Sequence, residues 1–404
     1  MKHYFLGLAS NYTWKHRLQH TFVVGRKKDC LELESYLAKR YSGDAILCKN
    51  GRSALALALK AYFEPGDAIL VNGFTCYAVY EAVKAAKLVP IFVDISKDDL
   101  NFSDKALVAA CPSDTLRAAQ AKSSRSAEHI ATKALPADGL KSTDIHAPNK
   151  TTSDSLVRGI IIQNTLGNPV DIVAIEKFAK KHDLKIIEDL AHCTGVKYPD
   201  GREAGTVGVA TALSFGKDKS IDTISGGAVI FRSEASPHKP QRSPRPSDHL
   251  RARFYPLFGA IAQGLSYVHL SGAWMRLLIR LHWIEKSADN KLDLTRKISK
   301  FQAKMALRQL KALKKSGEPP LREFYLVKDR EEVLDGLKKA GYYFTGFWYE
   351  KPVSPKRYYK KVHFPEEACP NAVFVSEHIV NLPTHYSKKA LELARKIIKE
   401  HLCE

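Results

Sequence analysis

The loop SFGKDKS follows an apolar run at 211–215 and carries two lysines two residues apart, Lys217 and Lys219. A lysine in a partly desolvated pocket can have a lowered pKa and form a Schiff base with a carbonyl carbon. For either lysine taken alone, a solvated loop position is the ordinary alternative. The loop therefore contains a candidate reagent, and its spacing from other residues must distinguish the two positions.

Two further groups of polar residues follow predicted strands. The segment NGRS at 50–53 begins a helical pattern, where backbone N–H groups and the helix dipole bind phosphate and Gly51 permits close approach. The run KIIED ends in Glu188 and Asp189, and a carboxylate there commonly contacts a ligand, with a helix cap as the alternative. A phosphate cradle, a carboxylate for a pyridinium nitrogen and a lysine for an aldehyde are together what pyridoxal 5′-phosphate needs.

Short apolar runs alternate with helical patterns over the first 230 residues and predict a series of strands and helices. The strands are expected at 45–49, 68–72, 90–95, 159–164, 185–189, 211–215 and 227–231, and helices at 53–63, 78–87 and 171–182. Unbroken apolar strands separated by helices are typical of an α/β fold whose mostly parallel sheet is covered on both faces. Ligands bind such sheets at the carboxyl ends of the strands.

Composition divides the chain into three parts. Residues 1–232 are predicted to form a large cofactor-binding domain, in which 112–157, rich in Ser, Thr, Lys and Ala, form a mobile insertion. Residues 233–290 are a variable segment, because 233–250 are rich in Pro, Ser and charged residues and indicate an exposed loop. Residues 291–404 form a smaller α/β domain. Its closing helix is expected to have an N-cap at Ser387 and apolar residues at 390, 394, 398 and 402.

The segment 254–275 contains no Asp, Glu, Lys or Arg, and the following RLLIRLHWIEK adds cations among apolar and aromatic residues. A transmembrane helix needs about 20 apolar residues, but a proline, three glycines, Gln263 and His269 dilute this run. Three alternatives stay open: a transmembrane span, a buried hairpin or subunit interface, and a membrane-docking element. In the last alternative the residues at the headgroup level are Trp274, Arg276, Arg280 and Trp283.

The 404-residue chain has a formal net charge of +20 and a pI near 9.5, which predicts attraction to anions such as phosphorylated metabolites or an acidic membrane surface. We find no zinc-finger spacing, RNP-like aromatic motif or basic repeat along one helix, so nucleic acid is not expected as a partner. Seven scattered cysteines without a C-x-x-C pair argue against a disulfide framework and a structural zinc site. The first 20 residues are not typical of a signal peptide, and a cytoplasmic protein is expected.

The motifs, taken in order, resemble the DegT/StrS sugar aminotransferases, which are pyridoxal-phosphate enzymes of fold-type I. The resemblance covers most of the chain outside 112–157 and 233–290. The matching stretches are NGRSALALALKAYFEPGDAILVNGFT, PIFVDISKDDLNF, the segment from GNPVD at 167 to GGAVI at 230, KISKFQAKMALRQL and the closing IVNLP.

The resemblance implies a Schiff-base lysine five residues after the phosphate-binding serine and seven before the first glycine of a Gly-Gly pair. Counting from Ser214 and from Gly226 leads to Lys219 both times, so Lys217 is expected to be a surface or phosphate-proximal charge. The resemblance also implies that Asp189 pairs with the ring nitrogen of the cofactor. The full set of implied cofactor-binding residues is Gly51, Arg52, Ser53, Cys76, Tyr77, Asn164, Asp189, His192, Ser214 and Lys219.

The chain departs from the family pattern at several of these positions. Arg52 replaces a usual threonine, which would strengthen phosphate binding, and His192 replaces a usual glutamine near the cofactor's 3-hydroxyl. Cys76 stands where an aromatic residue often stacks on the ring, so either Tyr77 stacks there or Cys76 packs on the ring. The family's N-x-R motif becomes Thr-Arg-Lys at 295–297, which predicts an altered donor or acceptor pocket.

The resemblance implies a cytoplasmic homodimer, with active sites completed across the interface, that serves cell-surface polysaccharide synthesis. It would transfer an amino group from glutamate to a keto sugar carried on a nucleotide or lipid diphosphate. The segment 251–285 would bring it to a membrane. A sugar dehydratase is one alternative, but that branch has histidine in place of the lysine. A non-catalytic binding or regulatory domain is the other, and it would not need both Lys219 and Asp189 at family spacing.

Overall fold

The structure, a computed structural model, describes residues 4–6, 11–111, 156–233, 239–240, 242–285, 291–344, 348–385 and 387–403. The predicted insertion at 112–157 lies outside the described residues except for its last two positions. The helices are α1 (Trp14–Phe22), α2 (Lys27–Tyr41), α3 (Gly51–Tyr62), α4 (Tyr77–Ala85), α5 (Asp104–Ala110), α6 (Ile172–Lys181), α7 (Pro246–Ser266), α8 (Ser271–Arg280), α9 (Lys300–Ala312), α10 (Arg330–Lys339), α11 (Lys356–Val362), α12 (Pro370–His378) and α13 (Lys388–Lys399). The strands are β1 (Tyr4–Leu6), β2 (Asp44–Cys48), β3 (Ala68–Asn72), β4 (Thr75–Cys76), β5 (Val89–Val93), β6 (Val157–Ile162), β7 (Lys185–Asp189), β8 (Ala210–Ser214), β9 (Gly227–Phe231), β10 (Arg322–Leu326), β11 (Tyr342–Phe344), β12 (Val353–Ser354) and β13 (Ile379–Pro383).

A seven-stranded sheet in the order β2-β9-β8-β7-β6-β3-β5 forms the centre of the protein. Strand β9 runs antiparallel to both of its neighbours, and the other pairs are parallel. These are the seven strands predicted from the sequence, with ends that differ by at most two residues. The three helices predicted from periodicity are α3, α4 and α6, again with ends within two residues. The predicted mostly parallel α/β fold is confirmed.

Neighbouring residues of each strand enter two hydrophobic clusters on opposite faces of the sheet. Leu70 and Ile160 pack with α2, α6 and α9, whereas Ile69 and Ile161 pack with α3 and α4. Because strand side chains alternate between faces, a sheet that is covered on both sides requires unbroken apolar strands. This packing explains why the apolar runs lack polar alternation.

The C-terminal part contains a second, smaller arrangement, in which β10 and β13 pair antiparallel and pack with α10 and α13. Ser387 caps α13 as predicted, because its hydroxyl accepts a hydrogen bond from the N–H of Ala390. Ala390, Ala394 and Ile398 are buried. The prediction is wrong for Leu402, which lies beyond the helix end at Lys399 and is 38% exposed. The domain boundaries at 232 and 290 stay a prediction.

The segment between the two arrangements forms a helical hairpin. Helix α7 begins at Pro246, so the predicted exposed loop at 233–250 is wrong for its last five residues, which are helical. Helices α7 and α8 pack against each other, and α1 packs against α7. None of the described helices is both long enough and apolar enough to cross a membrane.

A fully buried carboxylate, that of Glu188, holds the chain between β7 and β8. Its oxygens accept hydrogen bonds at 2.7–2.8 Å from the hydroxyl of Tyr198 and from the backbone N–H groups of Gly205, Val207 and Gly208. The guanidinium of Arg232, which follows β9, lies 3.0 Å from the same carboxylate. Glu188 is therefore structural, so of the two carboxylates that end β7 only Asp189 keeps its predicted role as a ligand contact.

We expect Glu188→Ala to lower the free energy of unfolding by about 3–5 kcal/mol, because it leaves the buried cation of Arg232 without its carboxylate. Urea titration followed by circular dichroism measures this loss. Glu203→Ala is the matched control, because it removes a more exposed carboxylate that pairs with Arg40 at 2.8 Å, and it should cost below about 1 kcal/mol. Equal losses in the two variants would contradict the assigned role of Glu188.

Candidate functional site

A cavity of about 190 Å³ lies at the carboxyl edge of the sheet, next to the start of α3. Seven of the predicted site residues line it, namely Gly51, Arg52, Cys76, Asp189, His192, Ser214 and Lys219. They come from the ends of separate strands or from the turns that follow them. The fold therefore brings together residues that are far apart in the sequence.

The start of α3 lies directly against the end of β8. Asn50 caps the helix by accepting a hydrogen bond from the N–H of Ser53 at 2.8 Å. A Cβ added to Gly51 would lie 2.5 Å from the Cβ of Ser214, so glycine is required for this approach. The positive end of the helix dipole and the hydroxyl of Ser214 lie together as a result, which fits a phosphate group.

Arg52 is also at the start of α3, but its charge is shared with the protein. Its guanidinium forms a salt bridge with Glu81 of α4, and its side chain is only 6% exposed. A carboxylate in direct contact neutralises part of the positive charge that would otherwise act on a phosphate. The gain in phosphate binding expected from replacing threonine by Arg52 is therefore reduced.

The loop between β8 and β9 is held by the carboxylate of Asp222. This carboxylate accepts hydrogen bonds from the backbone N–H groups of Asp218 and Ile224 at 2.9 and 2.8 Å. It also accepts hydrogen bonds from the side-chain amide of Asn11 at 2.9 Å and from the hydroxyl of Tyr12 at 3.0 Å. These bonds fix the backbone on both sides of the predicted Schiff-base lysine.

Lys219 lies in this loop with its Nζ atom 4.4 Å from the ring centroid of Trp348. Burial lowers the pKa of Lys219, and the nearby carboxylate of Asp189 opposes that effect in part. A lowered pKa increases the fraction of neutral amine, which is the form that attacks a carbonyl carbon. The surroundings of Lys219 thus suit the reagent predicted from its spacing.

Lys217 lines the same cavity but has a different set of contacts. Its ammonium donates a hydrogen bond to the carbonyl oxygen of Glu285 at 2.6 Å and lies 4.7 Å from the ring centroid of Tyr255. Burial lowers the pKa of Lys217 to about 8. A lowered pKa therefore does not distinguish the two lysines, whereas their contacts do, because Lys217 is bonded to the end of the α7–α8 hairpin.

Asp189 is the last residue of β7 and lines the cavity, whereas the preceding residue, Glu188, does not. Burial raises the pKa of Asp189 to about 6, while a 2.9 Å hydrogen bond from the N–H of Ala191 and the charge of Lys219 lower it. A buried carboxylate with a raised pKa gains from a cationic partner. The protonated nitrogen of a pyridine ring is such a partner.

His192 is held in one tautomer. Its Nδ1 atom accepts a hydrogen bond from the N–H of Leu166 at 3.1 Å, which assigns the ring proton to Nε2, 3.2 Å from the hydroxyl of Tyr349. Burial lowers the pKa of His192 well below its usual value, and the positive charges of Lys219 and Arg322 add to the effect. His192 therefore offers a neutral N–H group at the cavity.

Three predicted residues do not line this cavity, and each side chain has a partner elsewhere. The hydroxyl of Ser53 accepts a hydrogen bond from the N–H of Asp293 at 3.0 Å. The Oδ1 atom of Asn164 accepts one from the N–H of Val170 at 2.9 Å. The ring of Tyr77 stacks on that of Tyr358, with 4.2 Å between the ring centroids. The structure therefore does not support a direct cofactor contact for these three. Of the two alternatives at 76–77, the residue on the cavity is Cys76.

Several residues that line the cavity are not predicted from the sequence, among them Gln163 and Tyr349. Gln163 accepts a hydrogen bond from the hydroxyl of Thr75 and donates one to the carbonyl of Phe74 at 3.2 Å. Gln163 directly precedes Asn164. The rule that strand ends carry ligand contacts therefore predicts the correct turn, but it names Asn164, whereas Gln163 lines the cavity. Tyr349 lies in a segment without helix or strand periodicity, and no signal in the sequence identifies it.

A second cavity, of about 440 Å³, shares Lys219 with the first. Its lining includes Asp218, Ser220, Gln309 and His385. Lys219 therefore borders two chambers, one with the phosphate cradle and one with polar side chains from the loop, from α9 and from the C-terminal part.

Comparison with known proteins identifies relatives. The model of the DegT/DnrJ/EryC1/StrS aminotransferase family matches residues 17–119 and 145–318. A pleiotropic regulatory protein of Geobacillus stearothermophilus is 27% identical over 53% of this chain and 46% of its own length. A UDP-N-acetyl-3-dehydro-alpha-D-glucosamine 3-aminotransferase of Acidithiobacillus ferrooxidans is 26% identical over 53% of this chain and 47% of its own. The chain thus spans about half the length of the curated relatives it matches.

Solved structures show the same fold. A DegT/DnrJ/EryC1/StrS aminotransferase from Brucella abortus superposes with a TM-score of 0.61 and 19% identity, over 93% of this chain and 91% of that chain. The likeness in fold therefore covers most of the chain, whereas the curated relatives match about half of it.

In the cofactor-free protein we expect Asp189→Asn to raise the free energy of unfolding at pH 8 but not at pH 4. The carboxyl group has a pKa of about 6 in the folded protein and about 4 when unfolded, so its ionisation destabilises the fold as the pH rises through this window. Two pKa units correspond to about 2–3 kcal/mol. Urea titrations at both pH values measure the difference, and Asp98→Asn, at an exposed turn, controls for the change in net charge. A stability difference that is the same at both pH values would contradict the raised pKa.

Proposed function

The chain belongs to the DegT/DnrJ/EryC1/StrS aminotransferase family, and from this premise we propose that it is a pyridoxal-phosphate-dependent sugar aminotransferase. Its proposed acceptor is a keto sugar carried on a nucleotide or lipid diphosphate, and its proposed amino donor is glutamate. The observation that carries the proposal is the convergence of Gly51, Asp189, Ser214 and Lys219 on one cavity. The name of the Acidithiobacillus relative, an aminotransferase of a UDP-sugar, supports the substrate class.

The residues present fit pyridoxal 5′-phosphate. When bound, this group supplies an aldehyde carbon that accepts an amino group and a pyridinium ring that withdraws electrons. The start of α3 and the hydroxyl of Ser214 would hold the phosphate, at the place where a Cβ on Gly51 would fill the space. Asp189 would pair with the ring nitrogen, and the N–H of His192 faces the same cavity.

The proposed chemistry assigns a distinct task to each side chain. The side chain of Lys219 would hold the aldehyde group of the cofactor, and its neutral amine is placed to move a proton to or from the substrate carbon that bears the amino group. The carboxylate of Asp189 would keep the ring nitrogen protonated. The aromatic rings of Trp348 and Tyr349, which lie against His192, exclude water from this side of the cavity.

Two alternatives are weaker. The dehydratase alternative is not favoured, because Lys219 is present where that branch has histidine and the similar curated proteins include named sugar aminotransferases. A regulatory role without catalysis draws support from one relative, which is named a pleiotropic regulatory protein. A protein of that kind would have no use for a half-buried lysine with a lowered pKa on the same cavity as a buried carboxylate with a raised pKa.

We also propose that the protein is a cytoplasmic homodimer with active sites completed across the interface, and that it serves cell-surface polysaccharide synthesis. The altered segment at 295–297 supports a changed substrate pocket, because Arg296 bonds within its own chain, to the carbonyl of Ser243 at 2.7 Å and to Asp293 at 3.3 Å. The net charge of +20 suits a diphosphate substrate. Membrane contact through 251–285 is the last part of this proposal.

We expect the wild-type protein to become coloured after incubation with pyridoxal 5′-phosphate, and Lys219→Ala to lose both the visible absorbance and at least about a hundredfold of transfer activity. Lys217→Ala is the matched control and should keep the absorbance, because Lys217 is bonded to Glu285. Borohydride reduction followed by peptide mapping should find the pyridoxyl group on Lys219. A pyridoxyl group on Lys217 would overturn the assignment, and a colourless wild-type protein would overturn the enzymatic proposal.

For the acceptor, we expect glutamate-dependent amination of at least one nucleotide-linked or lipid-linked keto sugar. Incubating the coloured protein with panels of both kinds, and following amine formation by mass spectrometry, measures it directly. Lys219→Ala provides the background rate. Product from keto acids but from neither panel would refute the sugar specificity and leave the aminotransferase assignment standing.

A further inference from the structure

The α7–α8 hairpin has a base that belongs to the active-site cavity. Arg251 and Tyr255, in the first half of α7, and Trp283, just after α8, all line that cavity. Lys217 donates its 2.6 Å hydrogen bond to Glu285 at the same end of the hairpin. The base of the hairpin is therefore fixed against the loop that carries Lys219.

The tip of the hairpin, residues 267–270, is exposed to solvent, unlike the base, which packs at the cavity. Tyr267, Val268 and Leu270 are 63%, 60% and 53% exposed, although two of them are aliphatic and all are large. Helix α8, which begins at Ser271, extends this surface with Leu277, which is 46% exposed. Clustered exposed apolar side chains of this kind mark an interaction surface rather than an ordinary solvated turn.

Helix α1 adds to the same end of the hairpin. Arg17 of α1 donates a hydrogen bond to Gln263 at 2.8 Å, and Arg253 donates one to the carbonyl of Thr21 at 2.7 Å. These pairs show that α1 runs antiparallel to α7. The start of α1, where Trp14 is 63% exposed, therefore lies toward residues 267–270. We call Trp14, residues 267–270 and Leu277 the tip surface.

The elements that carry the tip surface have basic but no acidic residues. The segments 11–28 and 249–284, which contain α1 and nearly all of the hairpin, have no Asp or Glu. Arg276 and Arg280 of α8 are exposed. In a symmetric contact between two copies, this face would bring cations against cations. An anionic lipid surface instead satisfies both the cations and the apolar side chains.

We propose that the tip surface docks onto the headgroup region of an anionic phospholipid bilayer, while the base of the hairpin keeps the cavity next to that membrane. This inference deepens the membrane contact of the proposed function and rests on it. Docking inserts the apolar side chains of 267–270 and leaves Arg276 and Arg280 at the level of the lipid phosphates. No helix needs to span the bilayer for this arrangement.

Sedimentation of the full chain with vesicles tests the proposal. We expect binding to vesicles that contain phosphatidylglycerol, little binding to pure phosphatidylcholine, and a loss of binding at high salt. Val268→Ser/Leu270→Ser and Arg276→Gln/Arg280→Gln should each weaken binding by about tenfold or more. The matched controls lie on α6, where Val173→Ser and Lys180→Gln/Lys181→Gln change side chains that are also exposed and should leave binding unchanged.

Two results would overturn the proposal. The first is equal sedimentation with and without anionic vesicles. The second is a fall in oligomeric mass for Val268→Ser/Leu270→Ser in analytical ultracentrifugation, which would make this face an interface between copies. The cofactor absorbance of each variant separates this inference from the proposed function. Tip variants should stay coloured, and Lys219→Ala should bind vesicles as the wild type does, so either idea can fail while the other stands.

Discussion

The carboxylate of Asp222 is the interaction on which the candidate site depends. Besides the backbone of its own loop, it accepts hydrogen bonds from Asn11 and Tyr12, which precede α1. Gln309 of α9 bonds the same residue from the other side, because its side chain accepts from the N–H of Asp222 and donates to its carbonyl, both at 2.8 Å. Asp222 thus joins the lysine loop to the segment before α1 and to α9.

The same loop connects the sheet with α9 and with the α7–α8 hairpin. Gln302, one turn into α9, donates hydrogen bonds to the carbonyls of Thr223 and Ser225 at 2.8 and 3.0 Å. On the other side, Tyr12 and Ile224 pack in one hydrophobic cluster with Tyr255 of α7. A movement of the hairpin would therefore displace the loop, because close-packed interiors transmit displacement. The position of Lys219 and the orientation of the hairpin are coupled by packing.

Periodicity and strand-end position were enough to predict the sheet and the place of the site, because both depend on local patterns. These patterns do not predict which of two adjacent residues near the end of a strand lines the cavity. Glu188 and Asp189, Gln163 and Asn164, and Cys76 and Tyr77 are adjacent pairs, and in each pair one member lines the cavity. A shift of one residue reverses the direction of a strand side chain. The sequence pattern locates strand ends only to within one or two residues. The contact between His192 and Tyr349 spans 157 positions and has no local pattern at all.

Burial acts on the two central groups of the site in opposite directions, and both effects favour the uncharged form. It lowers the pKa of Lys219 and raises that of Asp189, although each charge partly stabilises the other. A ligand that carries a cationic ring nitrogen offers Asp189 a partner inside the cavity, and a phosphate adds negative charge at the start of α3 near Arg52. Such a ligand stabilises the folded protein by the free energy of the pairings it supplies. A bound group with this distribution of charge would therefore offset a further part of the cost of burying these groups, which is the physical basis of the cofactor assignment.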